Sequence, residues 1–148
     1  MRPEDLAALS ALCLRSKAHW GYDDAFLAAC REEFTFTGAD LQDTSIGVIR
    51  DDGGPIGVVQ VAVCGLDADI DKLFIAPEAI GFGHGATLFQ WAAHTARVQG
   101  ATRLMIESDP YAQPFYERMG ARLVGTAPSG SIPGRSLPRL TFDLTQHS

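Results

Sequence analysis

The segment Ile80-Gly81-Phe82-Gly83-His84-Gly85-Ala86 sets a glycine at every second position, between a stretch with strand character and one with helix character. Peptide N–H groups at such a helix start are unshielded by Cβ atoms and form a nest that suits a phosphate or pyrophosphate. Glycine-rich runs are also ordinary turn material, so the neighbours must decide. A P-loop requires Lys and then Ser or Thr after its last glycine, and Gly85-Ala86-Thr87 supplies no lysine. A dinucleotide fingerprint matches better. Gly81-x-Gly83-x-x-Ala86 opens a helix, and Glu107 ends the next strand roughly 20 residues on, where a ribose-binding acid belongs. Against it, Ala76 to Ile80 separate the strand from the glycines, and the chain after Glu107 is too short for further strand-helix units.

The rest of the pattern places this turn in a mixed sheet. Pro3-Glu4-Asp5 opens a helix carrying Leu6, Leu9, Cys13 and Lys17 at helical spacing, and His19-Trp20-Gly21-Tyr22 ends it. Asp23 or Asp24 caps a second helix with the stripe Phe26, Leu27, Cys30 and Phe34. Residues 45–50 and 55–64 are rich in Val and Ile around Asp51-Asp52-Gly53-Gly54, which predicts an antiparallel hairpin. A strand over 69–75 stops at Pro77, and the helix that follows the glycines runs to about Gln99, with Gly100 closing it. The strand over 103–107 lies parallel to the one before the helix. A short helix begins at Pro110 or Pro114 and ends at Gly120; strands near 121–126 and 139–144 then flank a loop holding Pro128, Pro133 and Pro138. The sum is an α/β chain with a central mixed sheet flanked by helices on both faces. A length of 148 residues suits one domain over 1–148.

Charge and cysteine usage narrow the partners. Twelve Lys and Arg against 18 Asp and Glu give a net charge of −6, the wrong sign for gripping a phosphate backbone, so no nucleic acid partner is expected. Cys13, Cys30 and Cys64 lack C-x-x-C spacing and sit among apolar neighbours, as small core residues of a cytoplasmic protein do. The apolar run Leu6 to Leu14 follows an acidic segment where an export signal needs positive charge. No stretch approaches the roughly 18 apolar residues of a membrane span. His94 and His147 have no partner at ligand spacing, so no metal is expected.

Leu73-Phe74-Ile75-Ala76-Pro77 followed by Gly81-x-Gly83-x-Gly85-Ala86 resembles the signature of the GNAT superfamily of N-acetyltransferases: a strand, a proline, then R/Q-x-x-G-x-G/A leading into a helix. A second family motif, Asn-x-x-Ala-x-x-Phe-Tyr-Glu-x-x-Gly-(Phe/Ala), is matched from Asp109 through Ala112, Phe115, Tyr116, Glu117 and Gly120 to Ala121. The resemblance covers roughly residues 45–145 well and the helical start more loosely. It implies the GNAT acyl-CoA N-acyltransferase fold, acetyl-CoA as cosubstrate, and direct transfer of the acetyl group to a primary amine of a small molecule or peptide in a ternary complex. A non-catalytic acyl-CoA sensor and a dinucleotide-binding protein are the alternatives. Ile80 stands where the family has Arg or Gln, which removes one phosphate contact that His84 partly replaces, and Asp109 stands for the common Asn. The family's first strand is missing or reduced to a stub, and the edge it leaves open would admit a homodimer there or through the last strands.

The resemblance also distributes roles. It sets Phe82, Gly83, His84, Gly85 and Ala86 on the diphosphate, pairs the pantetheine arm with the strand at Phe74 and Ile75, and makes a backbone N–H near Ile75 the oxyanion donor. Asp109, Ala112 and Phe115 join the coenzyme site. Tyr116 is placed beside the coenzyme sulfur, where a phenol with a pKa near 10 stays protonated and serves the leaving thiolate; the alternative is that Phe115 and Tyr116 are core aromatics. Asp67, Asp69 and Asp71 alternate along one strand and share a side. Asp71, nearest the reaction centre on that register, is the candidate general base, ahead of Glu107 and His84, and Asp67 reads as a solvated residue. Polar and aromatic residues at His19, Trp20 and Tyr22 and at Ser131 and Arg135 mark the acceptor mouth, with packing or surface roles as the alternative. Trp20 and Tyr22 are suited to stack on a ligand or cation, and Arg135 to clamp a carboxylate.

Overall fold

A computed structural model describes residues 5–19, 22–30, 36–128 and 134–145. Three helices come first: α1 (Asp5–Ala18), α2 (Asp24–Cys30) and α3 (Gly38–Asp43). The side chain of Asp23 accepts from the Phe26 N–H at 2.8 Å and so caps α2. Helix α3 is an addition to the expected elements. Its six residues are too few to show a period, but Thr37 and Asp40 form a reciprocal capping box at its start.

The strands β1 (Ser45–Asp51), β2 (Gly54–Cys64) and β3 (Asp67–Ile75) form an antiparallel meander. Helix α4 (His84–Val98) then crosses to β4 (Arg103–Glu107), which lies parallel to β3. After α5 (Gln113–Arg118) come β5 (Arg122–Pro128) and β6 (Ser136–Asp143), and β6 inserts between β4 and β5. The order β1-β2-β3-β4-β6-β5 makes one six-stranded mixed sheet. Among the described residues no strand precedes Ser45.

Helix α4 covers one face of this sheet, burying Leu88, Phe89, Ala92 and Ala96 against Val59, Val61, Ile70, Leu104, Ile106 and Leu140. Helix α1 covers the other, where Leu9, Leu12 and Cys13 meet Val58, Phe36 and Ala76. Strand β2 is thus buried on both sides, which is why it reads as a nearly continuous Val run instead of alternating. Gly47 on β1 is required by this packing, because a Cβ there would lie 2.8 Å from the Trp91 ring of α4. Gly47→Ala is expected to cost about 1–3 kcal/mol through this overlap, read as a lower midpoint of chemical unfolding with an unchanged denaturant slope.

Two expectations need correction. Pro128 and Pro138 lie within β5 and β6, not in the loop between them, while Pro133 falls outside the described residues. Pro128 is on the edge strand. Pro138 sits one residue past the last β4 pair, Glu107↔Arg139, and its carbonyl accepts from Ser108 N–H at 2.9 Å, so its missing N–H falls where the ladder with β4 has ended. Of the cysteines, Cys13 is fully buried, with its thiol pushed up to about 12 by desolvation, but Cys64 is exposed at the end of β2. The side chain of Cys30 lies outside the described set.

Candidate active site

The site begins with an irregularity in β3. Gln60 of β2 pairs with Lys72 and Val61 pairs with Ile70, so Asp71 is an extra residue without a partner on β2. Parallel pairing of β3 with β4 also stops there, at Ile70↔Ile106. Beyond that point Asp71–Ile75 and Glu107–Asp109 belong to no common ladder, and a cavity of about 610 Å³ occupies the gap. That volume is in the range of small-ligand sites. Its walls include Asp71 to Ile75, the glycine turn from Gly81 to Ala86 except Phe82, and the segment from Ser108 to Tyr116 at and before α5 except Pro110 and Gln113.

The glycine turn leads directly into α4. Gly81 and Gly83 have φ of 95° and 82°, the left-handed region that a side chain disfavours. Gly83 is the N-cap and offers no side-chain oxygen, so the first N–H groups of α4 have no side-chain cap. Gly85 is needed for a different reason: a Cβ there would stand 3.1 Å from the Phe115 ring, and α4 meets α5 at this point. The result is bare backbone at a helix N-terminus, open to the cavity.

Tyr116 is held by Phe115 and Phe89, with ring centroids at 5.1 and 6.1 Å. Its ring is buried, yet its hydroxyl has no hydrogen-bond partner among the described residues and is not sealed from solvent, so it opens on the cavity. Burial pushes the phenol up, and the charge of Asp109 pushes it further, so the proton stays on oxygen. Asp71 is pushed up to about 6, first by the protein packed around its carboxyl and then by the charges of Asp69, Asp40 and Glu107, against the pull of Lys72. The side chain nevertheless remains accessible to water. Lys72 is anchored away from it: Nζ donates to Gln60 Oε1 at 2.9 Å, Gln60 Nε2 donates to Thr44 Oγ1 at 3.0 Å, and the ammonium lies 4.9 Å from the Phe36 ring centre.

At the opposite wall Asp109 gathers four donors. Oδ2 pairs with Lys17 Nζ, accepts from Tyr22 Oη at 2.9 Å, and lies 3.5 Å from Arg135 Nη2. Oδ1 accepts from the Tyr111 N–H at 2.9 Å. Burial alone raises a carboxyl, but the bonds from Lys17, Tyr111 and Tyr22 outweigh it and hold Asp109 below the usual carboxylate range. The same contacts act in reverse on Tyr22, whose phenol is pushed up to about 12 by burial and by Asp109.

A family model described as an acetyltransferase (GNAT) domain matches residues 14–127. The chain belongs to the GNAT acetyltransferase family. Solved GNAT structures agree across nearly the whole length. The GCN5-related N-acetyltransferase of Rhodopseudomonas palustris superposes with a TM-score of 0.78 at 23% identity, covering 97% of this chain and 92% of that one. The PaiA N-acetyltransferase of Thermoplasma acidophilum, solved with coenzyme A, gives 0.77 at 17% identity, with 97% and 95% covered. An aminoglycoside 6'-N-acetyltransferase complexed with coenzyme A gives 0.73 at 15%, with 99% and 94% covered. No curated protein sequence matches this one. Family membership sets aside the dinucleotide-binding alternative.

On this GNAT scaffold most of the residues singled out from sequence meet at one cavity: Asp71, Phe74, Ile75, Gly83, His84, Gly85, Ala86, Asp109, Ala112, Phe115, Tyr116 and Arg135 all line it. Phe82 does not; its side chain is 74% exposed and stands outside. His19 is exposed at the end of α1 and is also not a lining residue, and Tyr22 meets the cavity through lining residues that it touches: Asp109, Arg135, Lys17 and Tyr111. Trp20 and Ser131 fall outside the described residues. Three cationic side chains among the lining residues had no individual role assigned: Lys17, Lys72 and Arg118. Lys17 left a trace in the sequence, since it continues the apolar stripe of α1 and a cation on a buried face needs a buried anion. Among the described residues there is no group that could hold a metal ion, and no helix is long and apolar enough to cross a membrane.

Proposed function

We propose that the chain is a single-domain N-acetyltransferase that moves the acetyl group of acetyl-CoA directly to a primary amine of a small molecule or peptide. One observation carries this reading: the bare helix start, the free Tyr116 hydroxyl and the Asp71 carboxyl line one cavity in the gap between β3 and β4. The glycine turn suits the coenzyme's diphosphate, with donors and no side chains in the way. Ile80 supplies no charge there, and Arg118 lines the same cavity on the α5 side. Arg118→Ala is therefore expected to raise the KM for acetyl-CoA several-fold with little change in kcat, since it removes binding common to ground and transition states.

The chemistry follows from the two shifted groups. Asp71 is mostly ionised above pH 6 and takes the proton from the acceptor's ammonium, directly or through one water. The free amine nitrogen attacks the thioester carbon, the C–N bond forms, the C–S bond breaks, and the nitrogen loses a second proton as the amide forms. Tyr116 hydrogen-bonds the departing sulfur, and that second proton reaches the thiolate, directly or relayed through the phenol, so that coenzyme A leaves as the thiol and Tyr116 ends protonated. A thiolate of pKa about 8.5 is already a fair leaving group, so Tyr116→Phe is expected to lower kcat about tenfold, below the usual range for a general acid. The KM for acetyl-CoA should stay near its wild-type value.

The test is acetyl-CoA turnover with a panel of amines, read by thiol release. Acceptor-dependent release supports the reading. Coenzyme A binding by calorimetry without release from any amine would leave a sensor, and no binding at all would remove the coenzyme assignment.

A further inference from the structure

Charged side chains of both signs line the cavity. Asp71 and Glu107, where β3 and β4 part, make an acidic wall, and the ammonium of Lys72 beside them is tied to Gln60. Farther along, Lys17 and Arg135 meet at Asp109, which is satisfied by its four donors and holds Arg135 only at 3.5 Å. Only Nη2 of that guanidinium is engaged, with Tyr22 Oη at 2.9 Å and Asp109 Oδ2 at 3.5 Å. Nε and Nη1 have no partner among the described residues.

Arg135 is also held in place. Its Cζ lies 4.9 Å from the Phe26 ring centre and 5.4 Å from that of Tyr22, and those two rings stack at 4.1 Å. The side chain is only 19% exposed. A guanidinium fixed over aromatic faces, thinly hydrated, with two donors to spare, is pre-organised for a planar oxyanion such as a carboxylate. A simple amine or a polyamine would satisfy the acidic wall but leave Arg135 unmatched, and a second ammonium would be repelled by it.

Resting on the N-acetyltransferase reading above, we propose that the acceptor is an amine that also bears a carboxylate, with the acid group held by Arg135 and the ammonium drawn to Asp71 and Glu107. The substrate class is therefore an amino acid or a similar zwitterion. Asp109 serves this site as a positioning residue: it ties Lys17 of α1, Tyr22 before α2 and Arg135 before β6 to the end of β4.

The experiment uses wild-type protein and acetyl-CoA with two acceptor series, the common α-amino acids and the ω-amino acids from glycine to 6-aminohexanoate. Each is assayed beside its carboxamide, which keeps the amine and removes the negative charge. The expected result is kcat/KM at least about tenfold higher for the best acid than for its amide, the size of one lost charge-assisted contact. In Arg135→Met that ratio should collapse toward one. The ratio is insensitive to a fraction of misfolded protein, which lowers both members of a pair equally. Amides acetylated as well as or better than acids would overturn the proposal while leaving the acetyltransferase reading intact. So would an acid preference that survives Arg135→Met. Release from other amines of the panel but from no acid or amide would overturn this proposal alone, and no release from any amine would overturn both.

Discussion

Replacing Asp109 with alanine is expected to lower the free energy of unfolding by about 3 kcal/mol, the usual cost of leaving one member of a buried ion pair alone. The Lys17 side chain is only 7% exposed and that of Asp109 only 14%. Without the carboxylate the ammonium loses its ion pair while the faces of Tyr22 and Phe26 stay at 5.0 and 5.6 Å from their ring centres, and a ring face replaces little of an ion pair. Asp109→Asn should cost less, because the amide oxygen still accepts a hydrogen bond. The pair also carries a pH signature. Asp109 titrates lower in the folded chain than in the unfolded one, so its contribution is complete above the ordinary carboxylate pKa and disappears as pH falls through the depressed value. Urea unfolding at pH 7 and at pH 3 measures both effects: the gap between wild type and Asp109→Ala should narrow at the lower pH. A difference under about 0.5 kcal/mol at pH 7, the scale of an ordinary surface change, would mean that Lys17 is hydrated and the pair is not a structural tie.

The division between what the sequence disclosed and what it withheld is physical. Glycines at alternate positions, a proline after a Val/Ile/Phe strand and Pro114 in a short helix are local signals, each acting through one residue's backbone, and they located β3, α4, β4 and α5 closely. Alternation likewise set Asp67, Asp69 and Asp71 on one side of the strand, and in the fold Ala68 and Ile70 between them are buried while Asp69 and Asp71 are exposed. The bulge at Asp71 left no such trace. It depends on how Gln60 and Val61 choose their partners across β2 and β3, and no single-strand pattern reports an offset between two strands. The Asp109 cluster is harder still, since Lys17 and Asp109 are 92 positions apart and Tyr22 and Asp109 are 87 apart. Residue type suggested that Tyr22 and Arg135 would hold a ligand. The fold shows that each first holds Asp109, and only Arg135 has donors left over among the described residues. Pro138 misled for the opposite reason: proline usually interrupts a strand, and here it sits where the neighbouring strand no longer needs a donor.

Asp71→Asn should cost about 10²-fold or more in kcat/KM for the amine, because the amide is nearly isosteric but cannot take a proton. The wild-type profile should fall tenfold per pH unit below about 6, as the carboxylate protonates; the variant should lack that limb. The stability effect has the opposite sign from the activity effect. Asp71 is raised from 3.8 when unfolded to about 6 when folded, so the folded state holds the extra proton between those values. Linkage then makes this carboxyl's contribution most favourable below pH 3.8, lost as pH rises, and fully unfavourable above about 6. Removing the charge at pH 8 should therefore raise the melting temperature, by roughly 1–3 °C given the water access of the side chain. At pH 3.5 the two proteins should melt alike. A residue that weakens the fold at neutral pH while serving turnover is under a functional demand, since packing alone would favour the amide. An Asp71→Asn protein that is more stable but keeps the wild-type acid limb would move the base to Glu107, which lines the same cavity at the end of β4.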